Sequence, residues 1–465
     1  MTRNHTRLAA TLLLVLVTSL SGFGCKGGDQ AAQEAGNKPI SLSWWTVEAS
    51  GGAVDALVKR YQVIHPNTNV SLRTVRREDM DRLAVEALAA GRGPDIISLP
   101  NAGIRGWQDR LAPIPPSTTL PYLEITGLFK KEPKWVLRDV PSVTLPQLKD
   151  SYVDVVLQDA VLDGKVYGLP LTLDSLVLFY NRDLLNVAGI AEPPATWTQF
   201  KEAVQKVTQL DQKGRIIRNG AAMGESANVP YVFDLVSALM LQNGTKMTTE
   251  SRGTGTRISF AEAKETNGET VSPGADALRF YTDFANPTKE TYTWSAEEPE
   301  AWVAFTSGKV AFTFGYYRDL ARIQRQAPRL NLGLAPFPQI DGTPAPAAFA
   351  SYYLEAVTKQ SAHQTEAWDL IQFATSSAEA ELYLKASPHP TAHRKLVTGQ
   401  ASNADLAPWA KQALVTKNWY HGYGLTQTTA MFRAMVKQAL AGTATSEALG
   451  FAAAQVGQTM QPPPR

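Results

Sequence analysis

Cysteine and net charge are the two properties that this sequence has least of. Cys25 is the only cysteine among 465 residues, and a single cysteine cannot form an internal disulfide. The 45 Lys and Arg residues nearly equal the 43 Asp and Glu residues. Because nucleic-acid-binding domains usually show a basic excess, this balance gives no support for a nucleic-acid partner.

Several catalytic motifs are also absent. The sequence contains no G-x-x-x-x-G-K-[ST], no H-E-x-x-H and no G-x-S-x-G, so nucleotide hydrolysis and the corresponding hydrolase mechanisms have no support. His389 and His393 have the spacing of a helical metal site, but Pro388 and Pro390 disfavour a regular helix there. We therefore expect no metal, no cofactor and no enzymatic activity.

What the chain does have is enough hydrophobic material for folded domains. Hydrophobic residues make up 44% of the sequence and charged residues 19%, which excludes wholesale disorder. The length predicts two or three domains.

Residues 1–24 have the pattern of a secretory signal peptide. Arg3 and Arg7 precede an apolar stretch at residues 8–20, which is shorter than the ~20 residues that span a bilayer. Cys25 follows at a position that resembles a bacterial lipoprotein signal, in which this cysteine is acylated, although Gly22 stands where that pattern has a Leu-like residue. The alternative is ordinary cleavage near Gly24. Residues 25–39 lack hydrophobic periodicity and predict a flexible tether.

The folded part begins with alternating strand and helix patterns. Residues 40–46, 69–75 and 94–99 predict strands, and amphipathic helices are predicted between them. This alternation indicates a parallel or mostly parallel sheet with helices on both faces. Ligands bind beyond the carboxyl ends of strands in such sheets. The rule selects Trp45, Thr46 and Glu48 after the first strand and Asn101 after the third.

The middle of the chain contains a long extended segment. Residues 169–180 predict about 12 extended residues, more than the ~5–6 of a usual strand, so this segment could cross between two domains. A helix over residues 194–210 with Thr196 as its N-cap follows. A helix, a glycine turn and a strand are predicted over residues 302–317, another strand over 349–357, and mainly helices after residue 362.

Four segments together resemble one known family. They are S-L-S-W-W-T to Y-Q-V-I-H-P-N-T-N-V, A-L-A-A-G-R-G-P-D-I-I, D-G-K-V-Y-G-L-P to Y-N-R-D-L-L with the following G-I-A-E-P-P-A-T-W-T-Q-F, and F-T-S-G-K-V-A-F-T-F-G-Y-Y. In order and spacing the chain resembles the extracellular solute-binding proteins of ABC importers, in the carbohydrate-binding family that includes maltose-binding proteins. The resemblance covers most of residues 40–455 and is weakest over 211–300.

The resemblance implies an α/β fold of the periplasmic-binding-protein type II, a two-lobed clamp in which each lobe is a mixed sheet flanked by helices. We expect the first lobe to comprise residues 40–170 and about 310–357. The second lobe would comprise 171–309 and about 358–455, with a tail over 456–465. The resemblance also implies a monomer that captures a sugar or oligosaccharide outside the cytoplasm and delivers it to the transmembrane subunits of an ABC permease. The lipid anchor would hold this monomer at a membrane.

The resemblance also implies roles for three residues. Asp174 falls where related sugar binders place a carboxylate that accepts sugar hydroxyls, and Asn101 falls where some have an acid. Tyr317 falls where an aromatic ring stacks on a sugar. Thr428 and Thr429 stand near positions where maltose-binding relatives have stacking aromatics, a departure that argues against assuming maltose as the ligand.

Sugar chemistry widens the set of candidates. The edge of a sugar needs groups with several donors or acceptors, and its faces need flat apolar rings. Trp294, Tyr352 and Trp419 are therefore added to Trp45 and Tyr317 as ligand-binding candidates, although aromatic residues at such positions commonly belong to the core. For Asp174 the structural alternative is a hinge salt bridge, and for Glu48 and Asn101 it is a cap or a loop hydrogen bond.

Two other functions remain open. The same clamp could hold a non-sugar solute such as a glycerol phosphodiester or a polyamine, and a phosphate would need arginines, for which Arg105 and Arg318 are candidates. A secreted glycoside hydrolase would need two opposed carboxylates at ~5–9.5 Å, for which Glu48 and Asp174 are candidates.

Overall fold

Strands and helices alternate through the chain, as the periodicity predicts. The computed structural model describes residues 26–47, 52–126, 130–251, 255–266, 268–343 and 345–463. Cys25, the predicted signal peptide over residues 1–24 and Glu48 lie outside these ranges. None of the helices within them combines the length and the hydrophobicity that a bilayer crossing requires.

The helices, in chain order, are α1 (Lys26–Asn37), α2 (Ala53–Ile64), α3 (Arg77–Ala89), α4 (Ile104–Trp107), α5 (Leu145–Ser151), α6 (Asp154–Ala160), α7 (Arg182–Val187), α8 (Trp197–Val207), α9 (Val232–Gln242), α10 (Pro273–Asp283), α11 (Ala301–Thr306), α12 (Leu320–Gln326), α13 (Gln364–Ala374), α14 (Ser377–Ala386), α15 (Arg394–Ala401), α16 (Ala407–Gln412), α17 (Leu425–Leu440) and α18 (Thr445–Thr459).

The strands, in chain order, are β1 (Ile40–Thr46), β2 (Thr68–Thr74), β3 (Ile96–Pro100), β4 (Leu111–Ala112), β5 (Ser117–Thr126), β6 (Glu132–Pro141), β7 (Val161–Leu162), β8 (Lys165–Val166), β9 (Val177–Asn181), β10 (Gln209–Leu210), β11 (Ile216–Ala221), β12 (Thr248–Ser251), β13 (Gly255–Ile258), β14 (Lys264–Thr266), β15 (Glu269–Val271), β16 (Val310–Gly315), β17 (Leu332–Ala335), β18 (Ala348–Phe349), β19 (Tyr353–Thr358) and β20 (Thr416–Lys417).

Two five-stranded mixed sheets form the centres of two lobes. The first has the order β2-β1-β3-β19-β4 and the second the order β10-β11-β16-β9-β17. In the first sheet β1 is parallel to β2 and β3, and β19 is antiparallel to β3. In the second, β16 is parallel to β11 and antiparallel to β9. The predicted fold class, two α/β lobes with mixed sheets, is confirmed.

Each sheet buries its own hydrophobic core. Trp44, Leu99 and Trp368 belong to the core of the first lobe, while Phe179 and Phe312 belong to the core of the second. Helix α8 shows how the pattern builds this core, since its apolar face is buried and its N-cap Thr196 accepts a hydrogen bond from the backbone N–H of Gln199. The predicted N-cap is therefore correct.

Within the described residues, paired segments pass from one core to the other. The crossings lie between Leu173 and Leu176, between Phe349 and Ala350, and between Ala413 and Trp419. They hydrogen-bond to one another, since the Leu176 N–H donates to the Phe349 carbonyl at 2.9 Å and β18 is parallel to β20. These paired crossing segments form the hinge. The predicted long strand over 169–180 is in fact one of these crossings followed by the five-residue strand β9.

The predicted lobe boundaries need two corrections. Strands β16 and β17, expected in the first lobe, pair with β9 in the second sheet. Helices α13 to α15, expected in the second lobe, contribute Trp368, Ile371 and Val397 to the core of the first. The error is physical in origin, because periodicity shows that a segment has a buried face but not which sheet that face covers. Helix α18 also extends past the expected end at residue 455, and its Val456 is buried.

The segment expected to be a flexible tether is largely helical. Helix α1 buries Ala32 and lies against the β5–β6 hairpin. A Cβ added to Gly36 would lie 2.2 Å from Cδ2 of the Trp135 ring, so the glycine is what allows the helix to approach the indole. The sequence pattern does not indicate this contact because the hairpin that supplies it is about one hundred residues away.

Candidate functional site

The ends of strands from both sheets meet at the hinge. β1 and β3 have their carboxyl ends at the edge where β19 begins. In the second sheet, the end of β16 lies beside the start of β9, with Gly315 paired to Val177. The edge of each sheet that the crossing segments connect therefore faces the other lobe. This arrangement places a cleft between the lobes.

Two cavities occupy this cleft, and Arg77 lines both of them. The outer cavity has a volume of about 1070 Å³ and is lined by Val47, Arg77, Arg182, Tyr317, Arg318, Leu320, Ala321, Gln324, Arg325, Leu330, Asn331, Leu332, Leu334, Tyr353, Ser387, Pro388, His389, Ala404 and Asp405. The inner cavity has a volume of about 330 Å³ and is lined by Arg77, Pro100, Asn101, Ala102, Pro230, Tyr231, Val232, Phe233, Asp234, Glu300, Trp302, Asp319, Arg322, Phe349, Ala350, Ser351, Leu425, Thr429 and Arg433. Both lobes contribute to each cavity.

Arg318 connects the hinge to the cleft. Its guanidinium donates to the carbonyl of Ser351 at 2.9 Å and to the Ser351 hydroxyl at 3.2 Å. It lies 3.5 Å from Asp174 and stacks 3.9 Å from the centre of the Tyr316 ring. Asp174 lies in the first crossing, Ser351 directly follows the second, and Arg318 follows β16. The Arg318 side chain therefore connects the end of β16 to two crossings.

Asp174 is held by backbone donors as well as by Arg318. Its carboxylate accepts hydrogen bonds from the N–H of Tyr317 at 2.9 Å and from the N–H of Arg318 at 3.4 Å. The hinge salt bridge considered from the sequence is therefore present. The carboxylate orients the loop that carries Tyr317.

Two tyrosine–carboxyl pairs contribute Tyr231, Asp234 and Asp319 to the lining of the inner cavity. The hydroxyl of Tyr316 donates to Asp234 at 2.5 Å, and the hydroxyl of Tyr231 donates to both oxygens of Asp319 at 3.0 Å. Burial raises the pKa of Asp234 and of Asp319, and the tyrosine hydrogen bonds partly offset this effect. Tyr231 has a φ of 55°, a left-handed conformation that is strained for a large side chain and occurs often at ligand-binding sites.

Tyr317 lies at the boundary between hinge and outer cavity. Its ring centre is 4.8 Å from that of His389 and 5.3 Å from that of Trp409, and its hydroxyl donates to the carbonyl of Pro388. The neighbouring Tyr316 is fully buried. Strand β16 ends at Gly315 and Tyr317 begins a short 3₁₀ helix, so the strand predicted to end at residue 317 is two residues too long. This turn, rather than strand alternation, leaves Tyr317 lining the outer cavity while Tyr316 is buried.

A buried carboxylate holds the third crossing. Asp159 is fully buried and accepts hydrogen bonds from Asn101 at 2.8 Å, from the Tyr352 hydroxyl at 2.9 Å, from Asn418 at 2.8 Å and from His421 at 2.9 Å. Asn101 and Tyr352 belong to the first lobe, whereas Asn418 and His421 follow the crossing to the second. Asp159 therefore links the two lobes behind the inner cavity.

The sequence-predicted candidates fall into two groups. Tyr317 lines the outer cavity and Asn101 the inner cavity. Asp174 lines neither cavity and is buried at the hinge beside Arg318, and Asn101 is engaged in its hydrogen bond to Asp159. Trp294, Tyr352 and Trp419 are buried away from both cavities; the Trp294 indole donates to Asn228 and the Trp419 indole to Ser237, each at 2.9 Å. These three belong to the core or its polar network, the alternative that the sequence left open.

The remaining candidates lie near the end of β1. The Trp45 ring is largely buried, and the Arg73 guanidinium lies 4.2 Å from its centre. Thr46 lines a small void beside Glu355 rather than either cavity. Arg105, a phosphate candidate, lies 3.6 Å from Asp163 and lines neither cavity.

The sequence analysis does not select Arg77, Arg182, Tyr231, Arg325 or Arg433. Arg77 begins α3 shortly after β2, so the rule of carboxyl strand ends could have selected it. Arg182 begins α7 directly after β9 and Tyr231 immediately precedes α9, with no distinguishing motif at either position. Arg325 and Arg433 lie within helices, where nothing in the pattern separates them from surface charges.

Sequence comparison with known proteins finds relatives that are named as binding proteins. The arabinooligosaccharide-binding protein of Bacillus subtilis (strain 168) is 25% identical over 51% of this chain and 51% of its own length. The chain spans about half the length of the curated relatives it matches.

Solved structures share the fold over nearly the whole chain. A cyclo/maltodextrin-binding protein complexed with maltotetraose has a TM-score of 0.70 at 18% identity, covering 91% of this chain and 98% of that one. A cyclic α-maltosyl-1,6-maltose binding protein from Arthrobacter globiformis has a TM-score of 0.69 at 19% identity, covering 91% and 99%.

The sequence also matches a family profile. The profile described as bacterial extracellular solute-binding protein covers residues 56–408, which include strands of both sheets and the first two crossings. The chain therefore belongs to the family of bacterial extracellular solute-binding proteins.

Proposed function

We propose that this protein captures a sugar or oligosaccharide outside the cytoplasm and delivers it to the transmembrane subunits of an ABC importer. The observation that carries the proposal is the cleft, since both lobes line it and the paired crossings join them. Relatives named for arabinooligosaccharide and maltodextrin binding support the ligand class. The family description supports a location outside the cytoplasm.

The mechanism is closure of a clamp. A ligand that contacts both lobes favours the closed form by its difference in affinity for the two forms. The outer cavity exceeds the ~300–1000 Å³ of common small-molecule pockets, so it can admit more than one sugar ring. Tyr317 supplies an aromatic surface at its edge, and the carboxyl groups of Asp234 and Asp319 supply acceptors for hydroxyls.

Calorimetric titration with mono- to tetrasaccharides, combined with small-angle X-ray scattering, tests this proposal. We expect an intact sugar to bind and the radius of gyration to decrease on binding. A folded protein that binds no saccharide would contradict it. Release of reducing sugar during the titration would instead favour the glycoside hydrolase considered from the sequence.

We further propose that Cys25 carries a lipid that anchors the protein to a membrane, and that the protein is a monomer. The signal pattern of residues 1–25 supports the anchor. Mass spectrometry of the protein exported from bacterial cells is the test. We expect an acyl mass on the native protein and none on Cys25→Ser, and an unmodified Cys25 would refute the anchor.

A further inference from the structure

The outer cavity carries an uneven distribution of charge. Four arginines line it, Arg77, Arg182, Arg318 and Arg325, whereas Asp405 is the one acidic residue among the lining residues that the structure describes. A neutral sugar is bound by a mixture of donors and acceptors, so this concentration of donors that are always charged is not what a neutral ligand requires.

Three of these arginines form no ion pair within the part of the chain that the structure describes. Arg318 is held by Asp174 and Ser351. Arg77, Arg182 and Arg325 are exposed, and none of them pairs with a carboxylate in the described ranges. Arg182 donates to the carbonyl of Leu332 at 3.2 Å and lies 5.2 Å from the Tyr180 ring centre, so its other guanidinium donors remain available.

The acidic groups of the cleft are gathered in the inner cavity. Asp234, Asp319 and Glu300 line it. The first two accept hydrogen bonds from tyrosines, and Glu300 lies 3.6 Å from Arg322. Arg77, Arg322 and Arg433 also line the inner cavity, so its acidic and basic residues are balanced. The excess of arginine over described acidic residues is therefore confined to the outer cavity.

We propose that the ligand is an acidic saccharide, whose hydroxyl groups face the inner cavity and whose oxyanion groups bind Arg182, Arg325 and Arg77 in the outer cavity. This inference rests on the proposed function, since it specifies the class of sugar. The planar guanidinium binds carboxylates, sulfates and phosphates through paired N–H donors, so the shared requirement is an oxyanion on the sugar. The spread of the arginines over a cavity of about 1070 Å³ suits an oligosaccharide with several such groups.

Calorimetric titration with matched saccharides tests the charge requirement. The probes are uronic-acid oligosaccharides, their methyl esters, sulfated and phosphorylated sugars, and neutral oligosaccharides of the same length. We expect an acidic probe to bind most tightly and its neutral counterpart at least about tenfold more weakly, because a charge-assisted hydrogen bond contributes roughly a factor of ten or more. The affinity for the acidic probe should also fall as salt increases.

Variants locate the oxyanion. Arg182→Gln and Arg325→Gln should each weaken binding of the acidic probe by about tenfold and weaken binding of the neutral counterpart by a much smaller factor. Arg279→Gln is the matched control, since Arg279 is an exposed arginine of α10 that lines neither cavity. Equal weakening of both probes would indicate a structural defect and would contradict the assignment.

The identity of the tightest-binding probe decides between the outcomes. Tightest binding of a uronic acid supports a carboxylate, and tightest binding of a sulfated or phosphorylated sugar supports the acidic class through another oxyanion. A neutral sugar that binds as tightly as the acidic ones overturns this inference and leaves the proposed function intact. A panel in which no saccharide binds the folded protein overturns both.

Discussion

Removing the Asp159 carboxylate should destabilise the protein strongly. Its four hydrogen-bond partners, Asn101, Tyr352, Asn418 and His421, all donate to it at 2.8–2.9 Å, and Asp159 is fully buried. Asp159→Ala leaves these donors without an acceptor. Leaving a buried donor without its acceptor costs about 1–3 kcal/mol. Because Asn101, Tyr352 and Asn418 are all buried, we expect the free energy of unfolding to decrease by at least about 3 kcal/mol.

Urea denaturation followed by tryptophan fluorescence measures this change. Asp159→Asn keeps the shape of the side chain but replaces one acceptor oxygen by a donor, so its loss should be smaller, about 2 kcal/mol. Asp150→Ala, which changes an exposed aspartate at the end of α5, should stay within about 0.5 kcal/mol of the native protein. A loss below about 1 kcal/mol for Asp159→Ala would refute the view that this carboxylate holds the crossing in place.

Packing, hydrogen bonding and titration give three further predictions. Tyr316→Phe removes the hydroxyl that donates to Asp234 and should lower the free energy of unfolding by about 1–3 kcal/mol. Tyr317→Ala should chiefly weaken sugar binding, measured by calorimetry. A stability loss for the Tyr317 variant and a binding loss for the Tyr316 variant would contradict their assigned positions. Gly333→Ala should lower the free energy of unfolding by about 1–3 kcal/mol, because the added Cβ would lie 2.1 Å from the Tyr180 ring. Gly399→Ala is the control, since no atom lies within 4 Å of its added Cβ. In the same urea assay this control should leave the free energy of unfolding unchanged or raise it. Burial lowers the pKa of His393 in the folded protein. As the pH falls, the unfolded chain therefore binds a proton at this residue before the folded protein does. The contribution of neutral His393 to the free energy of unfolding is complete above the unfolded-state pKa of ~6.5 and declines as the pH falls below that pKa. His393→Gln should reduce this acid-dependent decline in urea denaturation at several pH values, and an unchanged decline would exclude His393 as its source.

The alternation of strands and helices is predictable because burial of one face imposes a local period. Residues 40–46 predict β1, and the spacing of Trp197, Phe200 and Val204 alone marks the buried face of α8. The assignment of β16 to the wrong lobe shows the limit of this reasoning. The residues of β16 are buried on both faces. The hydrophobic pattern of such a strand does not indicate which of the two sheets it joins.

The candidate site is predictable only where local position constrains the side chain. Tyr317 can be selected because it follows the end of a predicted strand, although the structure ends β16 at Gly315 and places Tyr317 in a short 3₁₀ helix. Trp294 and Trp419 have suitable chemistry, but the structure places their rings inside the core of the second lobe. An aromatic residue has the same local signature in a core and in a binding cleft, so composition cannot separate the two.

By itself the sequence determined the α/β class, the order of most elements and the resemblance to solute-binding proteins, because these depend on local periodicity and on short ordered motifs. Only the tertiary structure decided how the cleft is charged. Arg77, Arg182, Arg318 and Arg325 are spread over nearly 250 positions of the chain and line one cavity because the crossings bring β16, β17 and the start of α3 together. Such proximity arises from long-range strand pairing, which no local pattern encodes.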